Sequence, residues 1–183
     1  MSRRARGARA CYTLRVSYFL PVLRALNDAD INYVIVGGVA TLLHGHLRVT
    51  ADVDLVISLD PVNVARTLDV MRVLNLRPRL PLDPAGFADP VQRRHWVRER
   101  GMRVFSFFDP TNATTGVDFF ADDDIDFVGL KTRSEIKTLG PLAVRVCSLD
   151  DLIAMKTVTG RAIDRQDVEA LNIIREHHGR TTD

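Results

Sequence analysis

Cysteine is scarce in this chain. Two occur in 183 residues, Cys11 and Cys147, and neither sits at a metal-binding spacing. A disulfide-stapled scaffold and a cysteine-ligated zinc site are thereby excluded, and a reducing cytoplasm is the expected compartment. Long apolar runs are missing too: no stretch approaches the roughly 20 residues of a membrane span. The N-terminal RRARGARA is basic, but Arg15 and Arg24 interrupt the segment that follows, so no signal peptide is expected. Charge of one sign is not in excess. A net charge of +2 is too small to argue for a nucleic-acid partner by itself. Internal repeats and low-complexity linkers are also absent. So are the G-x-G-x-x-G spacing of a dinucleotide fold and the G-x-x-x-x-G-K-[ST] of a P-loop.

What is present fits one ordinary globular domain. With 46% hydrophobic and 26% charged residues, the chain buries a real core and needs no second domain. Residues 1–10 read as a flexible basic arm, and 11–183 as a single domain. Segment 16–27 predicts a helix weakened by Pro21. Residues 32–36 and 53–58 predict strands, the second apolar on both faces beyond Asp54. Val39, Leu42 and Leu43 mark a short helix closed by Gly45. Asp60-Pro61 and Asp89-Pro90 are helix starts. Runs 102–108 and 115–120 predict strands around a DPTN turn, and 142–146 another. Ser148 with Asp151 forms a capping box for a helix to about 158. A last helix is expected from Asp164 to His178, stopped by Gly179. The class is α/β (α+β), a sheet with helical cover and a C-terminal helical pair over about 148–179.

Two aspartates open the strand ADVDLVI. Residues two apart on a strand share a face, so Asp52 and Asp54 project together, where their charges repel and burial makes each costlier. A divalent cation removes both penalties, and hard oxygen ligands suit Mg²⁺ bound with substrate phosphates. The alternative is one turn-capping and one solvated aspartate. Asp118, in GVDFF, is again a lone acid in an apolar strand. It either completes a two-metal site or faces water at an edge. The run Asp122, Asp123, Asp124 and Asp126 reads as a solvated loop.

The earlier strand ends in Gly37-Gly38 and leads into a helix. Bare N–H groups there attract phosphate, although a ligand-free tight turn has the same pattern. In the C-terminal pair, Leu149, Leu152, Ile153 and Lys156 share one helical stripe, so Lys156 faces the core and must snorkel or meet an anion. Arg161 lies in the connection. Asp164 and Asp167 read first as caps of the last helix, with a contact to Lys156 or a metal as the rival. His44 and His46 read as structural, and His177 and His178 as charges favourable at a helix C-terminus.

Together these residues resemble the polymerase-β-like nucleotidyltransferase superfamily: an apolar strand, a glycine pair, a short helix, Asp-x-Asp on the next strand and a later Asp. GGVATLLHGHLRVTADVDLVI combined with DLIAMKTVTGRAIDRQDVEAL is similar to the abortive-infection (AbiEii-like) branch and its small relatives, nucleotidyltransferase toxins included. The match covers residues 37–57 and 150–171. Gly38 stands where the wider superfamily has serine. The resemblance implies a mixed β-sheet flanked by helices, and transfer of a nucleoside monophosphate from an NTP, ATP included, with pyrophosphate released. It implies that Asp52, Asp54 and Asp118 hold two Mg²⁺ (or Mn²⁺) ions and that Gly37 and Gly38 cradle phosphates. Lys156 and Arg161 would neutralise charge, with Asp164 or Asp167 joining the site. The acceptor hydroxyl is open between tRNA, protein and small molecule, and a toxin–antitoxin or phage-defence setting with an antitoxin partner is in view. The rivals are a catalytically inactive nucleotide-binding protein of the same fold, and a nucleic-acid-binding protein whose QRRHWVRERGMR stacks Trp96 on a base.

Overall fold

The computed structural model describes residues 17–180, so the expected arm and Cys11 lie outside them. Helix α1 (Leu20–Asp28) carries Pro21 in its first turn, where a missing N–H leaves no hydrogen bond unmade. Strand β1 (Tyr33–Val36) is buried along its length and passes directly into α2 (Gly37–Leu43). Strand β2 (Asp52–Ile57) follows, then α3 (Pro61–Val73), capped by the Asp60 carboxylate on the N–H groups of Val62 and Asn63. A short β3 (Arg77–Pro78) and one-turn α4 (Ala85–Ala88) lead to α5 (Pro90–Arg100), capped by Asp89 and ended by Gly101. The hairpin β4 (Val104–Asp109) and β5 (Asn112–Phe120) precedes α6 (Phe127–Arg133) and a second hairpin, β6 (Glu135–Leu139) and β7 (Leu142–Val146). Helices α7 (Leu149–Thr159), capped by Ser148, and α8 (Ala162–Arg180) close the described chain.

The seven strands of the described residues form one sheet, in the order β3-β4-β5-β2-β1-β7-β6. β2 runs antiparallel to β1 and parallel to β5, so the sheet is mixed. Val34, Ile35, Val53 and Leu55 are fully buried at its centre, as both faces are covered. On one face an aromatic group, Phe87, Phe105, Phe107, Phe119 and Trp96, fills the space under α4 and α5. No helix among the described residues is long and apolar enough to cross a membrane.

Four differences from the sequence reading have local causes. β6 is an edge strand with three of its five residues exposed, so its residues EIKTL show no apolar alternation to detect. The last helix starts at Ala162 and continues to Arg180, past Gly179. Trp96 is 3% exposed and lies flat on Phe105, centroids 5.5 Å apart, so it is core and cannot stack on a base. The acidic run is not wholly solvated, because the Asp123 Oδ1 carboxylate oxygen accepts from Nη2 of buried Arg93 at 3.0 Å.

Candidate active site

Strand pairing gathers the acids. Val36 pairs with Asp54, Asp54 with Asp118, and Asp118 with Ser106, which makes one row across four strands. Asp52 lies two residues before Asp54 and pairs with Gly116. Registered partners and i, i+2 neighbours share a face, so Asp52, Asp54 and Asp118 all leave the same side of the sheet. Glycines make room for them. A Cβ on Gly116 would lie 2.3 Å from Asp52 Oδ1, and one on Gly37 would lie 2.0 Å from Asp54 Oδ2.

Gly37 turns the chain from β1 into α2 with φ +60, the left-handed region that disfavours side chains. The next N–H, from Gly38, donates to Asp54 Oδ2 at 3.2 Å. Gly37→Ala is expected to cost about 1–2 kcal/mol for the backbone alone and more for displacing Asp54. Its melting temperature should fall accordingly. Gly38 has its own constraint. A Cβ there would meet Thr50 Oγ1 at 2.5 Å, so a serine at this position does not fit without moving Thr50.

The electrostatics follow from burial. Asp54 is pushed up to about 6, first by burial, opposed by the Gly38 N–H and reinforced by the charges of Asp118 and Asp52. Asp118 is raised by burial as well, against a hydrogen bond from Ser106 and the nearby Arg79, with Asp52 adding to the rise. The three acids thus feel one another. Among the described residues, however, no three His, Cys, Asp or Glu side chains group closely enough to hold a metal ion by themselves. The donor set is oxygen only, and Asp54 lies on the wall of a cavity. It fits an ion completed by phosphate oxygens and water, the usual habit of Mg²⁺.

The C-terminal helices add a buried ion cluster. Lys156 is 5% exposed, and its Nζ donates to Asp167 Oδ2 at 2.7 Å and Asp164 Oδ1 at 3.3 Å. Arg161 Nε donates to Asp164 Oδ2 at 2.6 Å, and Arg48 Nη1 to Asp167 Oδ2 at 2.5 Å. His46 Nε2 lies 3.5 Å from Asp167 Oδ1. The helix-cap reading of Asp164 and Asp167 is therefore corrected. Both carboxylates turn inward onto Lys156, because a buried ammonium needs anions more than an exposed helix start needs caps. Arg48 was missed, since its partner is 119 residues away and no local pattern marks it. His44 is structural, its Nε2 2.8 Å from the Cys147 carbonyl oxygen.

A cavity of about 720 Å³ opens beside these groups, lined by Gly37, Asp54, Phe120, Lys156, Arg161 and Asp164 among others. Its wall combines anion-seeking and apolar surfaces, as a nucleotide requires. Asp52 and Asp118 do not line it.

No family model and no curated protein matches the sequence. Solved structures do match in fold. The solution structure of the antibiotic-resistance factor ANT(2'')-Ia is 15% identical, with 93% of this chain and 96% of that chain covered at a TM-score of 0.55. An antigenic nucleotidyltransferase-like protein from Paracoccidioides brasiliensis is 18% identical, with 86% of this chain and 75% of that chain covered, also at 0.55. The chain has a nucleotidyltransferase fold. The crystal structure of ANT(2'')-Ia in complex with adenylyl-2''-tobramycin shares that fold, with 14% identity, 93% and 99% of the two chains covered and a TM-score of 0.54.

Proposed function

We propose that this chain is a divalent-cation-dependent nucleotidyltransferase that moves a nucleoside monophosphate from an NTP to an acceptor hydroxyl. The supporting observation is the row that puts Asp54 and Asp118 in register beside Gly37 and Gly38. The glycine N–H end receives the triphosphate tail, while Lys156 and Arg161 face the same cavity. Asp52, Asp54 and Asp118 would hold Mg²⁺ (two ions, or Mn²⁺). When bound, the metal neutralises phosphate charge and eases deprotonation of the acceptor. The acceptor oxygen forms a bond to the α-phosphorus as the bond to the bridging oxygen breaks. Pyrophosphate leaves with that electron pair, and the hydroxyl proton passes toward Asp118. Positioning and electrostatics carry such chemistry.

The test is transfer of label from NTP·Mg²⁺ to a panel of tRNA, protein and small-molecule acceptors. An aminoglycoside belongs in the panel because ANT(2'')-Ia was captured with adenylyl-2''-tobramycin. Label should move in the wild type and fall by roughly 10²-fold or more in Asp118→Ala. No transfer to any acceptor, or transfer unchanged in Asp52→Ala, would reject the proposal. A phage-defence or toxin role in the cytoplasm, with an antitoxin, is tested by expressing the chain and scoring growth arrest that Asp52→Ala relieves.

One observation favours a second reading, a nucleotide-binding protein without turnover: Lys156 and Arg161 are already paired with Asp164 and Asp167. NTP·Mg²⁺ at about 100 times its Kd stabilises a binder by about 2.7 kcal/mol. Stabilisation without transfer supports this second reading.

A further inference from the structure

The acid row does not end at Ser106. The Ser106 carbonyl accepts the backbone N–H of Arg79 at 2.8 Å, and Arg79 directly follows β3. Its guanidinium sits 5.6 Å above the Phe108 ring. Phe108 pairs with Gly116, and a Cβ on Gly116 would lie 3.3 Å from Arg79 Nη2 as well as 2.3 Å from Asp52 Oδ1. Arg79 therefore hangs over the acid face, on the side of Asp52 and Asp118 away from the glycine pair.

A cation thus stands at each end of the row, and the two differ. Lys156 is buried and bound by two aspartates. Arg79 is exposed and lies over Phe108, and its charge acts on Asp118 without a direct ion pair among the described residues. An acceptor hydroxyl must approach the α-phosphorus roughly in line with the leaving pyrophosphate. With the triphosphate tail on Gly37 and Gly38, that approach comes from the Arg79 side.

We propose that Arg79 binds a phosphate of the acceptor, so that the acceptor is a phosphate-bearing hydroxyl compound and not a neutral or polyamine one. This rests on the nucleotidyltransferase reading. A guanidinium matches phosphate oxygens bidentately, and stacking on an aromatic ring holds its plane. A polyamine acceptor meets the same group as like charge, which disfavours it. The phosphate can belong to a nucleic-acid strand or to a free nucleotide, because both present the same chemistry.

The experiment uses the full chain and four probes: oligouridylate, UMP, uridine and tobramycin. Affinities are measured for wild type, Arg79→Ala and Arg79→Lys, and melting shifts are recorded with NTP·Mg²⁺. Oligouridylate or UMP should bind and uridine and tobramycin should not, UMP binding marking a free nucleotide and oligouridylate alone a strand. Arg79→Ala should weaken the phosphate-bearing probe roughly tenfold or more, the loss of one charge-assisted contact, with partial recovery in Arg79→Lys. Where label moves, the acceptor KM should rise by more than the NTP KM. Equal affinity for uridine and UMP, or an equal loss for NTP in Arg79→Ala, overturns the assignment. Loss of the NTP·Mg²⁺ shift in wild type overturns the underlying reading instead, since discrimination between uridine and UMP is scored without it.

Discussion

Replacing Lys156 with alanine is expected to lower unfolding stability by roughly 3–5 kcal/mol, the cost of stranding buried charges. Its two partners are almost fully buried, with Asp164 at 0% and Asp167 at 1% exposure. Removing the ammonium leaves Asp164 with Arg161 at the rim and Asp167 with Arg48. Each buried carboxylate then keeps only an arginine that is itself more exposed, and loses its buried donor in a medium that solvates it poorly. Urea unfolding of Lys156→Ala and of the triple change Lys156→Met with Asp164→Asn and Asp167→Asn separates the terms. The triple protein should recover part of the loss, because no carboxylate is left buried and the two arginines that lose their partners, Arg48 and Arg161, reach solvent. A loss below about 1 kcal/mol in Lys156→Ala would mean that the cluster is solvated. The sign of its pH dependence is also set. Burial alone would raise Asp164, but Arg161 and Lys156 outweigh it and hold the carboxyl below its ordinary value. That stability is present at neutral pH and is lost as pH falls through the lowered folded-state value.

Asp54→Asn should behave in the opposite way, becoming more stable while losing activity. Asp54 rises from 3.8 to about 6, so the folded state holds its proton more tightly than the unfolded chain. Stability then falls as pH climbs from about 4 to about 6, and the full penalty of about 3 kcal/mol applies above that window. Asparagine carries no charge to desolvate and still accepts from the Gly38 N–H. Thermal melts at pH 4 and pH 7.5 should therefore nearly coincide for the two proteins at the lower pH and favour Asp54→Asn at the higher. NTP·Mg²⁺ should stabilise the wild type and leave Asp54→Asn almost unmoved. Transfer should drop by roughly 10²–10³-fold or more, as when a preorganised electrostatic group is removed. Equal stability at pH 7.5 would show that Asp54 is not held in a desolvated, charged state, and the cost attributed to burial would be wrong.

Much of the candidate site was legible in short stretches because its signals are local. Gly37 and Gly38 break an apolar strand, Asp52 and Asp54 obey a period of two, and Lys156 sits on an apolar helical stripe. Each needs at most a few neighbouring residues to recognise. Asp164 and Asp167 were misjudged as caps because the same acids serve either purpose at a helix start, and the choice depends on which cation is buried nearby. Trp96 was ambiguous for a similar reason. An aromatic among arginines looks like a nucleic-acid surface until α5 is seen to lay it on Phe105. β6 carried no signal at all, since an edge strand with little apolar burial has no alternation to read.

The amino-acid order alone determined the helix starts at Asp60, Asp89 and Ser148, the buried strands β1 and β2, and which acids share a strand face. These depend on backbone geometry over a few residues. Only the tertiary structure decided that Asp118 pairs with Asp54, that Arg48 reaches Asp167 and that Arg79 overhangs Asp52. Those pairings join chain segments far apart in sequence. Strand order and register select them through burial of whole faces, which no short stretch encodes.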